Sequence, residues 1–323
     1  MHKKYNFNFL FLIASIFVLS SCNSDTDEPK MYEEYITYYG LNFEVNVKTK
    51  YFDSKIHYIV RIEDISDNYL SETDYFEKLQ KGSIGLELLD KGHQVSIIDN
   101  LVNGSKKLLP IKANFLQCDI DDEKKISNLL KDNKFDVAMH FAGYTRVGES
   151  TKFPEKYYEN NFEKPKKFFD VCIKNNLNKF IFSSTGSVYG NVSSQINIPE
   201  DYKKKPLNPY SDSKYKLENH LISLSNENKI SAIILRYFNV AGADIKNRSG
   251  LITNPDNLIK AICEVATGKR KELIVNGNDY KTKDGTTIRD YIHVSDLAEM
   301  HVLAAKNLMK KNKTDIYNCG YGT

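Results

Sequence analysis

From about residue 82 onward, amphipathic stretches alternate with short apolar runs, and this rhythm constrains the fold more than any other feature. "LELLDKGHQVSIIDN" reads as a helix, a stop at Gly92 and a strand at Val95–Ile98. "ISNLLKDNKFDVAMHFAG" repeats the order with a strand at Val137–Phe141, and "KKFFDVCIKNNLNKFIFSS" repeats it with a strand at Phe180–Ser183. "LENHLISLSNENKISAIILRYFN" is a fourth unit. Strands that read as continuous apolar runs are buried on both faces, so helices must cover a parallel sheet on both sides. The expected class is α/β, a doubly wound parallel sheet, which is a nucleotide-binding architecture. After Asn239 the rhythm breaks into loops around one amphipathic helix, "DNLIKAICEVATG", which reads as a smaller substrate-side region.

The N-terminal part has another texture. Met1 to Lys4 is basic, Phe9–Leu19 is an unbroken apolar run, and Leu-Ser-Ser precedes Cys22. That pattern reads as an export signal rather than a membrane span, with Cys22 placed as in a lipoprotein signal, where it would carry the lipid. Residues 23–30 read as a tether. "LNFEVNVKTKYF" alternates at Phe43, Val45 and Val47, and "KIHYIVRIED" is a second strand, so the two form a candidate hairpin. The division expected is a signal over 1–22, a tether and small β-rich or disordered segment over 23–80, a nucleotide-binding domain over 81–240 and a partial substrate region over 241–323.

Charge and cysteines narrow the function classes. A net charge of +3 is too small to argue for nucleic acid, and the run Lys203 to Lys205 reads as solvated surface. The cysteines at 22, 118, 172, 263 and 319 include no C-x-x-C pair, so no metal site is expected.

In a doubly wound sheet the ligand lies at the carboxyl ends of the strands. The second strand of that order ends at Asp99, whose carboxylate can bind ribose hydroxyls; a plain turn aspartate before Asn100 is the weaker alternative in isolation. The next ends supply Asp119 and Ile120, then Phe141, Ala142 and Gly143, then Ser183, Ser184 and Thr185. Asn208 can cap a helix that begins at Pro209, which puts Tyr210 and Lys214 one turn apart on one face. A Lys ammonium beside a phenol favours the phenolate and lowers a Tyr pKa from about 10, so Tyr210 is a candidate general base. Tyr-x-x-x-Lys alone carries little, because Tyr51 and Lys55 match it too.

Together, strand–"SST", "YxxxK" and "RYFN" resemble the extended short-chain dehydrogenase/reductase superfamily, which is Rossmann-like. Within it, "HFAGYTRVGES", "YYENN", "LRYFNVAGAD" and "GNDYKTKDGTTIRDYIHVSDLAEMHVLA" look like the UDP-glucose 4-epimerases. The resemblance covers about residues 82–323. It implies NAD as cofactor and UDP-galactose and UDP-glucose as substrates. It implies that Tyr210 takes the proton of the sugar 4-hydroxyl while NAD takes hydride from C4, after which hydride returns to the other face. Thr185 would hydrogen-bond the 4-oxygen, and Lys214 would orient the nicotinamide ribose. Gly82, Gly85, Asp99, Asn100, Asp119, Ile120, Phe141, Ala142, Gly143, Asn160, Tyr210, Lys214 and Phe238 match cofactor positions. Thr185, Tyr210, Asn239 and Arg289 match substrate positions, the last two near the diphosphate. A homodimer is the family habit.

The chain departs from the family in identifiable places. A first strand and a G-x-x-G-x-x-G turn are expected, and only "KGSIG" stands there, preceded by "SETDYFEKLQ". Gly85 to Asp99 spans 14 positions against the usual spacing of about 20, which shortens the first helix by about a turn. Thr145 stands where Lys is common, Pro165 is expected to disturb a helix interior, and the sequence stops at "YNCGYGT" where family members continue. A lipid-anchoring signal also conflicts with cytoplasmic ligands. A composite of a lipoprotein-like N-terminus with an epimerase lacking both ends accounts for these features. Two readings stay open: a working epimerase, and a non-catalytic relative on an anchor. A dehydratase or decarboxylase fits less well, because Gly186 and Ser187 follow Thr185 where a dehydratase would carry acids.

Overall fold

A computed structural model describes residues 32–37, 44–52, 55–63 and 76–322, with breaks at 103–105, 107–108, 193–196, 245, 247, 251–256 and 276. In chain order the elements are β1 (Tyr32–Thr37), β2 (Glu44–Phe52), β3 (Lys55–Glu63), α1 (Phe76–Asp90), β4 (Ser96–Asp99), β5 (Asn114–Gln117) and α2 (Glu123–Asp132). Then come β6 (Ala138–His140), α3 (Val147–Lys152), α4 (Pro154–Tyr158), a π-helical turn (Glu159–Glu163), α5 (Lys164–Lys174), β7 (Lys179–Thr185) and a 3₁₀ turn (Gly186–Tyr189). The remainder is α6 (Pro209–Asn226), β8 (Ser231–Tyr237), β9 (Asn239–Ala241), α7 (Leu258–Ala266), β10 (Tyr291–His293), α8 (Val294–Lys311) and β11 (Asp315–Cys319). None of the described helices is long and apolar enough to cross a membrane.

The described residues fall into two units. One contains β1–β3 and α7 within residues 1–73 and 254–287. Its strands form an antiparallel sheet in the order β1-β2-β3, so the expected hairpin is β2–β3, and β1 is a strand the sequence reading did not separate. Tyr51 and Lys55 lie on these two strands, where a spacing of four does not put side chains on one helix face. The Cys22 assignment lies outside the described residues.

The second unit, residues 74–253 and 288–323, carries the alternating units. β11-β8-β7-β6 form one parallel sheet, β4-β5 a second parallel pair and β9-β10 a third. In the doubly wound order 3-2-1-4-5-6, β5 and β4 take places 3 and 2 and β6, β7 and β8 take places 4 to 6. Place 1, between β4 and β6, is filled by no strand among the described residues.

Both faces of the larger sheet are buried, as the apolar runs require. Phe180 and Phe182 of β7 and Ala232 and Ile234 of β8 join Phe169, Cys172, Leu217 and Leu221 from α5 and α6. The alternate residues Ile181, Ile233 and Leu235 join Ile292, Leu297 and Leu308 on the other side. Alternation within one strand thus feeds two cores, each side chain contributing about 2 kcal/mol through burial.

Two sequence expectations are corrected. The first helix is not shortened: α1 begins at Phe76 and runs through both Gly82 and Gly85. "FEKLQ" contains good helix formers, and among the described residues no strand delivers the chain into a turn there. The second is refined: Pro165 does not end the helix, whose backbone stays helical at Tyr158, Glu163 and Lys164, but the turn before it is π-helical, so the disturbance is a change of pitch.

Candidate active site

The carboxyl end of β7 and the first turn of α6 supply the central groups. Asn208 caps α6 through a reciprocal pair with Ser211, and Pro209 opens the helix as the sequence anticipates. Tyr210 is half-buried in that first turn, and Lys214 is buried one turn on. The Lys214 ammonium donates to the Ser183 carbonyl at 3.2 Å and lies 5.2 Å from the centre of the Phe182 ring. Lys214 therefore ties α6 to the strand that ends in Thr185. Thr185 Oγ1 accepts from the Ser187 N–H at 3.2 Å and lies 2.8 Å from Ser187 Oγ, a hydroxyl pair at the strand end. Phe238, just past β8, lies against Gly186, where any side chain would collide with its ring.

A second group of residues lies at the ends of β4 and β5. Asp99 accepts from the Leu101 N–H at 2.8 Å, and Asn100 donates to the Asp119 carboxylate at 3.1 Å. Lys164 donates to the same carboxylate at 2.7 Å. Burial opposes the charge of Asp119, but the Lys164 and Asn100 hydrogen bonds outweigh it and hold its carboxyl below the usual range. Burial likewise opposes the Lys164 charge, and the Asp119 bond raises its pKa in net. Ile120 is half-buried beside this pair. Replacing Lys164 with Met is expected to return the Asp119 pKa upward, a shift that carboxyl-carbon NMR titration would register; an unmoved titration would mean that Asn100 alone sets it.

The Phe141-Ala142-Gly143 segment follows β6, with Gly143 buried. The next residue, Tyr144, is clamped through its backbone by Asn161, which accepts from the Tyr144 N–H at 2.7 Å and donates to its carbonyl at 2.9 Å. Asn161 also donates to Ser213 Oγ of α6 at 3.4 Å, and Asn160 donates to Asn161 Oδ1 at 3.2 Å. The sequence pattern points to Asn160 and does not single out Asn161 or Lys164, which make the clamp and the Asp119 ion pair. Asn161 is buried within the π-helical turn and Asn160 is half-buried.

At β9 and β10, the Asn239 backbone and side-chain amides both donate to the Asp290 carbonyl, at 3.1 and 2.9 Å. Arg289, exposed, directly precedes the Asp290 that Asn239 holds. Gly82 and Gly85 do not join any of these groups. They are interior to α1, and Gly85 approaches Pro110 and Ile97 closely enough that an added Cβ would lie 3.3 Å from the Pro110 ring. Its role is close helix–strand packing rather than a phosphate turn. Among the described residues no cluster of His, Cys, Asp or Glu could hold a metal ion.

Known proteins resemble this chain in sequence and in fold. The model of the NAD dependent epimerase/dehydratase family matches residues 84–320. The chain belongs to this family. The UDP-glucose 4-epimerase of Azospirillum brasilense is 40% identical over 236 residues, covering 73% of this chain and 68% of the relative. That of Bacillus subtilis (strain 168) is 39% identical over 248 residues, covering 74% and 73%. Among solved structures, the UDP-glucose 4-epimerase from Bifidobacterium longum in complex with NAD+ and UDP aligns with a TM-score of 0.69 and 34% identity, covering 76% of each chain. The enzyme from Brucella ovis in complex with NAD aligns with a TM-score of 0.70 and 34% identity, covering 75% and 74%. The family's Rossmann-like α/β fold is the fold of this chain.

Proposed function

We propose that this chain is a UDP-glucose 4-epimerase, interconverting UDP-galactose and UDP-glucose by transient oxidation at C4 of the sugar. The observation that carries the reading is the joining of Thr185, Tyr210 and Lys214 by one strand end and one capped helix turn. The identities of 40% and 39% to enzymes of that name support it.

NAD, when bound, accepts and returns the C4 hydride. The residues present fit its two ends. Asp99, Asn100, Asp119 and Ile120 would hold the adenosine side, with the Asn100–Asp119 bond already made. Phe141, Ala142, Gly143, Asn160 and Phe238 would line the middle and the nicotinamide side, and Lys214 would hold the nicotinamide ribose. Tyr210 removes the 4-hydroxyl proton, Thr185 hydrogen-bonds the same oxygen, and the Lys214 charge favours the phenolate. Asn239 and Arg289 bind the diphosphate, where an Arg fork suits two phosphate oxygens. The reading carries two subsidiary expectations, a lipid on Cys22 and a homodimer. Intact-mass spectrometry of membrane-extracted chain and sedimentation velocity test them.

One observation favours the second reading, a non-catalytic relative. Gly82 and Gly85 are helical, so they do not form the glycine turn that lets a pyrophosphate reach a helix N-terminus. A single assay separates the two. The purified full chain is denatured with acid, released NAD is quantified, and intact protein is assayed with UDP-galactose. About one NAD per chain together with turnover supports the epimerase; no NAD bound or taken up, and no turnover, leaves the non-catalytic relative.

A further inference from the structure

Behind the Thr185–Tyr210–Lys214 group lies an ion pair that the proposed chemistry does not use. Arg236 of β8 and Glu218 of α6 are both buried, 1% and 0% exposed. The guanidinium grips the carboxylate through three hydrogen bonds, Nε at 3.0 and 3.2 Å and a terminal nitrogen at 2.6 Å. Ser184 of β7 donates to the same carboxylate. The other terminal nitrogen of Arg236 donates to the Tyr189 hydroxyl at 2.8 Å and to the Glu200 carbonyl at 2.9 Å. Tyr189 in turn donates to Asn318 of β11 at 2.7 Å.

The arrangement has a direction. Glu218 follows Lys214 by four residues and Tyr210 by eight, so all three share one face of α6. Ser184 immediately precedes Thr185. The carboxylate therefore links the helix that carries Tyr210 and Lys214 to the strand that ends in Thr185, about one turn below the Lys214–Ser183 bond. A buried ion pair is a poor source of net stability, because desolvation offsets the attraction. Its geometric effect is large, since a planar guanidinium gripped on both sides fixes rotation and axial position together.

We infer that Glu218 and Arg236 are positioning residues, and that their ion pair with Ser184 sets the register of α6 against the end of β7. This holds Tyr210 where a substrate oxygen bound at Thr185 can reach it. The inference rests on the epimerase reading for its kinetic consequence and on the geometry alone for its structural one.

The test uses the full chain and three proteins: wild type, the double variant Glu218→Leu/Arg236→Met, and Ser184→Ala. Removing both charges leaves no unpaired ion but takes the acceptor from the buried Ser184 hydroxyl, so the double variant is expected to lose far less in melting temperature than removal of either charge alone. Its kcat for UDP-galactose is expected to fall about 100-fold with KM within about threefold, because a shift near 1 Å at the reacting atoms suffices for that loss. Ser184→Ala removes one link only and is expected to lose about tenfold in kcat at unchanged melting temperature, which decides the matter if the double variant does not fold. All three are also made with 3-fluorotyrosine, and the Tyr210 resonance is assigned by its loss in Tyr210→Phe. A folded variant with wild-type kcat and an unmoved Tyr210 resonance overturns the inference. If the wild type shows no turnover, the epimerase reading fails by itself, and the Tyr210 resonance still decides: displacement in the variants supports the positioning role, and coincidence with wild type overturns it.

Discussion

Tyr210→Phe is expected to lower UDP-galactose turnover about 1000-fold while leaving NAD content per chain unchanged. The ring of Phe fills the same half-buried space on the first turn of α6, and the helix keeps its cap through Asn208 and Ser211. What is lost is the oxygen that, on the proposed reading, takes the proton of the sugar 4-hydroxyl, and positioned general bases contribute about 100- to 10,000-fold. The pH profile adds a second criterion. A phenolate base makes kcat/KM rise with pH until the phenol is ionised, and the residual activity of the variant should lack that acid limb. Lys214→Met is expected to act more broadly. It loses the bond to the Ser183 carbonyl and, on the proposed reading, the charge beside the base and the hold on the nicotinamide ribose, so both NAD content and turnover should fall. Full activity in Tyr210→Phe would remove the base from Tyr210 and sink the assignment.

The sequence carries the larger sheet and the central group well, because both depend on local signals. Apolar runs such as "KFIFSS" and "SAIILRY" are strands buried on both faces, and they appear as β7 and β8. The cap-and-proline start "NPY" fixes where α6 begins and so which residues share the Tyr210 face. The failures are non-local or depend on helical pitch. "KGSIG" reads as the remnant of a turn only by analogy; with helix formers on both sides it is helix interior. Pro165 reads as a disruption until a π-helical turn supplies the compensating change. Glu218 and Arg236 lie 18 positions apart, and nothing local says that a carboxylate on an apolar helix face meets the one charge in "IILRYF". Lys164 belongs to the same class: its partner Asp119 lies 45 positions away.

His301 makes the chain acid-sensitive, with an expected loss of about 3 kcal/mol of folding stability between pH 7 and pH 4 from this residue alone. It lies on α8, fully buried, with Nδ1 2.8 Å from the Leu297 carbonyl and Nε2 without a hydrogen-bond partner. The Phe141 ring lies 5.2 Å away and the Tyr237 ring 6.4 Å away. Burial pushes its pKa down from 6.5 to about 4, against a small opposing contribution from the Leu297 carbonyl. The folded chain therefore keeps His301 neutral where the unfolded chain has already protonated it. The unfolded state binds the extra proton, so stability is full above about 6.5 and declines as pH falls toward the folded value, then levels off. Replacing His301 with Leu removes that dependence. Thermal melts of both proteins at pH 7 and pH 4.5 isolate it, since the carboxylates titrate alike in each. Wild type is expected to lose about 5–10 °C more than the variant over this interval, from a linkage difference of about 2.4 kcal/mol. Equal losses would mean that the ring takes up its proton in the folded state, which requires a partner for Nε2.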